Sequence, residues 1–375
     1  MITGVQLNLL IGPGVPVPAP SVVIDALTGV EVQSSKEQSG FQLTFAAGPN
    51  SPLLRTFLPA GYLDPMTTRV IIFVTVRGIP QVIMDGIVTQ QQVSPAGDKG
   101  TATITVTGED LSVLMDVVEM PFMRYPAFPK VAQLYTILSK YAVFGIVPVV
   151  IPPLVPHVKT MFEQFDTQTG TDREYIRQSA RRMGYVFYLE PGPVPGTSIA
   201  YFGPDVRLPI PQPALSIDFG GDTNVESLSF TLDGMAKRIV VLSVFDPATR
   251  KLPLTIPLPT MNPLRPPLGV KPAVPSRVEF PDELSDLSPA EALERGLGMM
   301  FGAGDSISGE GSLEVSRYGR VLRSRMLVGV RGAGIAYDGL YYVNTVTHSI
   351  KRGEYKQSFN LSRDGLISLT PRVVP

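Results

Sequence analysis

Hydrophobic residues change period along this chain, and the changes divide it. Between residues 21 and 108 apolar positions alternate with polar ones: Phe41, Leu43 and Phe45 with Gln42 and Thr44, then Ala102, Ile104 and Val106 with Thr101, Thr103, Thr105 and Thr107. That is the period of a half-buried strand. Residues 70–76 are nearly all apolar, as in a strand covered on both faces, and Gly78 and Pro80 separate them from a second run over 82–93. The pattern predicts a compact antiparallel barrel. Its threonine ladder needs no ligand, since threonine forms strands readily and tolerates water.

The period then lengthens. A short helix is expected to open at Gly108, Glu109 and Asp110 and to run to Val118; residues 129–141 place Val131, Leu134, Tyr135, Leu138 and Tyr141 at helical spacing. Residues 171–189 spell out a complete helix and strand. Thr171 and Glu174 have capping-box spacing. Tyr175, Ile176, Ala180 and Met183 form one apolar stripe, with Arg173, Arg177 and Arg181 facing elsewhere, and Arg181 and Arg182 complement the dipole of the last turn. Gly184 supplies a left-handed stop, and the aromatic run from Tyr185 is reversed at Pro191 and Gly192 toward a strand over 198–202.

Period two returns over 214–219, 225–232 and 236–245, where Leu228, Phe230 and Leu232 alternate with Ser229 and Thr231. Prolines recur from 247 to 289, removing backbone donors and fixing φ, so an extended arm of polyproline character is expected rather than sheet or helix. Ser288, Pro289 and Glu291 restart a helix toward Phe301. The glycines at 302, 304, 309 and 311 do not make a phosphate loop, because no lysine follows and they come after a helix; turn chemistry accounts for them. Strands are expected over 313–316, 325–331 and 339–350. A turn at Gly353 leads to Tyr355, Gln357, Phe359 and Leu361, alternating with Lys356, Ser358, Asn360 and Ser362. Asn360 begins a formal glycosylation triplet but lies inside this strand.

The fold class expected is therefore mainly β with an α+β insert: two antiparallel barrels and a helix-hairpin region. The boundaries are an extended N-terminal arm over 1–20, a first barrel over 21–108, the α/β region over 109–205, and a second barrel over 206–375 carrying a proline-rich insertion over 247–289. Similar barrels at the two ends of the chain would present edge strands able to pair around a ring.

Composition changes the picture in two ways. Charged residues are 17% against 44% apolar, less charge than an ordinary soluble surface carries, so much of the surface is expected to be covered by partners. With 32 basic and 33 acidic residues there is no global field for nucleic acid, and no nucleic-acid sequence recognition is expected. There is no cysteine, and the two histidines, His157 and His348, lie far apart with no metal-binding neighbourhood. No catalytic, cofactor-binding or metal-binding residue is assigned, and no cofactor is expected. The dense acidic group Asp282, Glu283 and Asp286 reads as charge before a helix start. An alternative function, hydrolysis of cell wall or polysaccharide, would need a carboxylate pair held in a cleft. Uncharged stretches at 1–24 and 141–158 carry Pro13, Pro16, Pro18 and Pro20, and Pro148, Pro152, Pro153 and Pro156, so neither is a membrane-spanning helix.

Two segments carry a resemblance. Asp172, Tyr175, Arg177, Ala180, Gly184 and Tyr185, and then Gly339, Tyr342, Val343, Val346, His348, Gly353, Tyr355, Phe359, Leu361, Arg363 and Gly365, stand in an order similar to that of baseplate hub proteins. These are the hubs of contractile phage tails and contractile injection systems: the late control protein D kind, and the hub part of type VI secretion spike proteins. The resemblance covers about residues 21–366 and implies two tail-tube-like barrels and a non-enzymatic structural role. It also implies a homotrimer whose six barrels adapt a six-fold tail tube to a three-fold spike, with tail tube and baseplate wedge proteins as neighbours. The location implied is the virion baseplate or an injection-machine particle, assembled in the bacterial cytoplasm. The chain departs from fused hub-spike proteins in stopping at Pro375 without a spike segment, so the spike is expected to be a separate polypeptide.

Overall fold

The computed structural model describes residues 4–95, 100–121, 123–125, 128–153, 166–207, 210–218, 220–245, 253–257, 266–272, 274, 276–279, 296, 298–299, 305–370 and 373. The fold is mainly β, organised around a thirteen-stranded sheet.

The first barrel uses β1 (Val5–Pro13), the two-residue β2 (Val17–Pro18), helix α1 (Ser21–Ala26), β3 (Leu27–Ser34), β4 (Ser39–Ala47), β5 (Thr68–Val76), β6 (Ile79–Ser94) and β7 (Ala102–Asp110). Pairing runs β3-β4-β7-β6-β5-β1, all antiparallel. β6 turns the sheet over. Its first half pairs with β5, its second half with β7, and the register slips between Val88 and Gln90, leaving Thr89 as a bulge that bends the strand. Alternation does the rest: Phe41, Leu43, Phe45, Ile104 and Val106 are buried, with their polar neighbours on the other face.

A second, smaller core follows. β8 (Met123–Tyr125), α2 (Lys130–Ser139), β9 (Ile146–Val150), β10 (Asp166–Gln168), α3 (Asp172–Met183), β11 (Val186–Pro191) and β12 (Ser198–Gly203) form a helix layer and small sheets. β9 joins the β11–β12 hairpin in parallel. α3 has the capping box expected of it, Gly184 is left-handed, and Tyr175, Ile176, Ala180 and Met183 pack inward.

The second barrel comprises β13 (Gln212–Ser216), β14 (Ser227–Leu232), β19 (Ile307–Glu314), α4 (Val315–Tyr318), β20 (Leu327–Arg331), β21 (Gly339–Lys351) and β22 (Glu354–Arg363). Between β14 and β19 the chain forms β15 (Arg238–Phe245), β16 (Pro253–Pro257), β17 (Gly269–Pro272) and β18 (Arg277–Glu279); β15, β16 and β18 make a sheet of their own, and β17 pairs with β23 (Gly365–Ser368). Pairing in the barrel runs β14-β19-β22-β21-β20-β13. That is the order of the first barrel, strand for strand, with β3, β4, β7, β6, β5 and β1 in the corresponding places. Only the last pair differs, being parallel in the second barrel. The two barrels share one continuous core.

Several expectations are corrected. Residues 5–13 are not a free arm but a strand paired with β5 along its whole length, because Leu9 and Ile11 have a core to enter. Residues 238–245 belong to the insertion's sheet and not to the barrel. The proline-rich stretch contains strands after all: in β16, Pro253 and Pro257 stand at the two ends, where a missing donor is tolerated. Gly309 and Gly311 are strand residues rather than turn residues, paired on both sides by β14 and β22, and they are glycines because a Cβ there would lie 2.9 Å from Phe230 and 2.7 Å from Phe359. Consequently the strand expected at 313–316 lies at Ile307–Glu314, followed by α4. Arg173 does not face water: it is buried between Glu109 and Asp116. Tyr135, expected on the inward face of α2, is exposed. The helix start at Ser288, the acidic group 282–286 and His157 lie outside the described residues.

Candidate functional site

Three features of the main sheet stand out: a polar face, an internal seam and two open edges. The face is built by register. Across β6, β7, β4, β3, β21 and β22, Gln90 stands opposite Thr107, Thr107 opposite Gln42, Gln42 opposite Glu31, Glu31 opposite Ser349, and Ser349 opposite Lys356. A second row runs Gln33, Thr347, Ser358, Ser312, Ser227 through β3, β21, β22, β19 and β14. Hydroxyl and amide side chains thus cover one side of eight consecutive strands, interrupted by a few carboxylates and lysines. Over the second barrel they line a shallow groove of about 460 Å³ that includes Ser229, Glu310, Thr345 and Asn360.

The seam joins the barrels. β3 pairs antiparallel with the second half of β21, from Val346 opposite Ser34 to Lys351 opposite Gly29. It is sealed by polar contacts. Ser34 and Ser324 hydroxyls meet at 2.7 Å, Arg325 donates to the Ser35 and Lys36 carbonyls, and Lys36 pairs with Asp205 at 2.9 Å. Asp205 also accepts from the Tyr342 hydroxyl at 2.7 Å, so the α/β region, both barrels and the β3–β4 turn meet in one network. At the opposite end of the seam an apolar cavity of about 1090 Å³ opens between Val5, Leu7, Ile24, Leu27, Val30 and Ile350.

His348 lies on the core side of this seam, fully within the barrel, with Nδ1 2.8 Å from the Tyr355 hydroxyl and 3.3 Å from Gln357 Nε2. Burial drives its pKa down to about 3, so the ring is neutral at physiological pH. Its place is structural, in the strand where it was expected.

The outer edges are treated unequally. In the first barrel β2 covers part of β1. In the second, Asn224 closes β13: its side-chain oxygen accepts from Ser216 N–H at 2.8 Å and its amide donates to the Ala214 carbonyl at 2.9 Å. Neither β14 nor residues 89–94 of β6 has a second partner strand among the described residues. The sequence showed the alternation of these strands, but not which edges stay open, because that depends on pairings between residues hundreds apart.

Among the described residues, no group of three or more His, Asp or Glu side chains is placed to hold a metal ion. No described helix is long and apolar enough to cross a membrane.

No protein-family model matches the chain, and no curated protein does. Solved structures do. A tail protein from Neisseria meningitidis MC58 superposes with a TM-score of 0.63 at 15% identity, over 99% of this chain and 100% of that one. The 43 kDa tail protein of prophage MuSo2 from Shewanella oneidensis gives 0.61 at 15% identity, over 96% and 99%. A chain of the Francisella PdpA-VgrG complex gives 0.59 at 8% identity, over 98% of this chain and 54% of that one. The chain has the fold of these tail and secretion-system proteins.

Proposed function

We propose that the chain is a structural baseplate hub of a contractile tail or a related injection machine, adapting a six-fold tube to a three-fold spike as a homotrimer. One observation carries this reading: two barrels of the same strand order are fused edge to edge in one chain and share one polar face. Three copies joined in the same way give six barrels around an axis. The hydroxyl and amide face then lines the opening, and the apolar cores stay outside it. Open strand edges are otherwise a liability for a soluble chain, and pairing between copies satisfies their backbone groups. The low proportion of charge fits a surface shared with neighbours: tube above, spike below, wedge proteins around. The role is mechanical, with no turnover of substrate. Native mass measurement and electron microscopy of the purified chain test it. A trimer appearing as a six-lobed ring is expected, and a chain that remains monomeric at high concentration sinks the reading.

A further inference from the structure

The two barrels match in detail beyond strand order, and the match fixes how one copy would meet the next. Both long strands bulge at the same place. The register slip at Thr89 in β6 recurs at Asn344 in β21, and each bulged side chain bonds the facing strand, Thr89 to the Thr107 carbonyl and Asn344 to Asn360. Thr107 and Asn360 are themselves equivalent, since each stands opposite the first residue after its bulge, Gln90 and Thr345. Ahead of each bulge a non-glycine residue in left-handed conformation, Met66 (φ 63°) or Arg325 (φ 62°), donates its N–H to the carbonyl of Val88 or Val343. Such a conformation is rare for these residue types, so its recurrence anchors the alignment firmly.

With Thr89 set on Asn344, Gln91, Gln92, Val93 and Ser94 fall on Val346, Thr347, His348 and Ser349. The pairings of β4 with β3 and of β19 with β14 likewise set Glu31, Val32, Gln33 and Ser34 on Ser229, Phe230, Thr231 and Leu232. The internal seam pairs Glu31 with Ser349, Val32 with His348, Gln33 with Thr347 and Ser34 with Val346. β14 and the second half of β6 are the equivalent strands, and both are open.

We infer that β14 of one copy pairs antiparallel with residues 91–94 of β6 in the next, in a single register: Ser229 opposite Ser94, Phe230 opposite Val93, Thr231 opposite Gln92 and Leu232 opposite Gln91. The inference rests on the ring reading above and adds its register. Two features that played no part in the alignment agree with it. The register keeps every polar-face residue opposite another, Ser229 and Thr231 meeting Ser94 and Gln92; a slip of one residue would set Thr231 against Val93. It also gathers exposed apolar side chains. Met66, Val93, Leu232 and Met235 are 42%, 45%, 45% and 77% exposed. Met66 takes the place of Arg325, which grips the β3–β4 turn, and so faces the start of the insertion at Asp233 to Met235 of the neighbouring copy. The seam within a chain is closed by serine hydroxyls and an arginine; the seam between chains is closed by apolar burial.

The absence of cysteine makes the test clean. Thr231→Cys and Gln92→Cys are combined in one full-length chain and oxidised. Paired residues in antiparallel strands lie within disulfide range, whereas diagonal ones, as in Ser229→Cys with Gln92→Cys, lie at its outer limit or beyond. Gln33→Cys with Thr347→Cys reports the same geometry inside one chain. Near-complete covalent linkage between copies is expected for the first pair, linkage within the chain for the third, and little for the diagonal pair. Val93→Glu with Leu232→Glu should dissociate the assembly while leaving the circular dichroism spectrum of the monomer unchanged. An assembly that links through the diagonal pair, or not through Thr231 and Gln92 while the internal pair links, overturns the register and leaves the ring standing. A chain that never assembles overturns both.

Discussion

The two barrels share a strand order and a bulge and differ where something is docked on them. In the first, Arg69 of β5 and Asp85 of β6 form a buried two-pronged ion pair at 2.7 and 2.8 Å, and the α/β region reaches it: Ser198 donates to Asp85, and Arg69 donates to the Gly196 carbonyl. Counting from the bulges, the equivalent residues of the second barrel are Leu327 and Leu340, which pack with Leu268 and Tyr342. One diagonal pair of positions is thus polar under the α/β hairpin and apolar under the insertion. Strand order and bulge make the barrel, and these two positions help decide which attachment covers it.

The largest effect should come from unbalancing that pair. Burial pushes the Asp85 carboxyl above its ordinary pKa even against the opposing pull of Arg69, so the ion pair does not recover its full desolvation cost. Arg69→Leu or Asp85→Leu alone leaves an uncompensated buried charge and should cost about 3–5 kcal/mol. The double replacement, copying the second barrel, should restore most of that in a denaturation midpoint. A double variant as unstable as either single would mean that the α/β contact, rather than the charge, sets the chemistry here.

A smaller effect tests the cores. Phe41 lies over Gly108 in the first barrel, and the equivalent positions of the second carry Gly309 and Leu361, large and small exchanged across the pair. Gly108→Leu should overpack by about 1–3 kcal/mol or somewhat more, because a Cβ would stand 2.3 Å from the Phe41 ring and 2.4 Å from the Ile87 carbonyl. Adding Phe41→Gly removes the first clash and not the second, so only partial recovery is expected. Full recovery would show the barrels to be interchangeable at this level.

These pairings explain what the sequence could and could not reveal. Alternating and continuous apolar runs disclosed β4 to β7, β13, β14 and β20 to β22 but not β1 or β3, and the cap, stripe and stop of α3 were legible because each is a local relation of a few residues. Arg173 was misplaced because its partners, Glu109 and Asp116, come from the preceding barrel strand and the turn after it. Gly309 and Gly311 looked like turn residues because the aromatics that require them, Phe230 and Phe359, arrive from other strands. The N-terminal strand was hidden by its lack of charge and its following prolines. Of the candidate site, the polar face was visible in each strand as Thr, Ser and Gln, but seam and open edges exist only in the register between β3 and β21, which join residues about 300 apart.

Acidification should separate the barrels next. His348 of the second barrel occupies the place of Val93 in the first, and its folded pKa of about 3 lies below the ordinary value of 6.5. The unfolded chain therefore takes up a proton that the folded chain refuses, and stability falls as pH drops from about 6.5 toward 3. Between pH 7 and pH 5 this amounts to about 2 kcal/mol. His348→Val should flatten that part of the stability curve, whatever it does to the baseline through the Tyr355 hydroxyl. If His348→Val leaves the difference between the urea unfolding free energies at pH 7 and pH 5 unchanged, the proton uptake lies elsewhere.

The smallest effect concerns one of the contacts that hold the α/β region to the first barrel. The Thr171 hydroxyl accepts from Glu174 N–H at 3.2 Å and donates to Asp116 Oδ1 at 2.8 Å, and Asp116 in turn holds Arg173 at 2.7 Å. One hydroxyl therefore starts α3 and ties it to the turn that follows β7. Thr171→Ala should cost about 1 kcal/mol, the usual worth of an N-cap. Thr171→Ser, which retains the hydroxyl, should cost much less. The loss should be local: hydrogen exchange should speed up at the amides of α3's first turn and the segment after β7, with β19, β21 and β22 unaffected. Equal acceleration in both barrels would mean that the α/β region and the ring unfold as one unit, and that the capping box supports the whole chain rather than its attachment to one barrel.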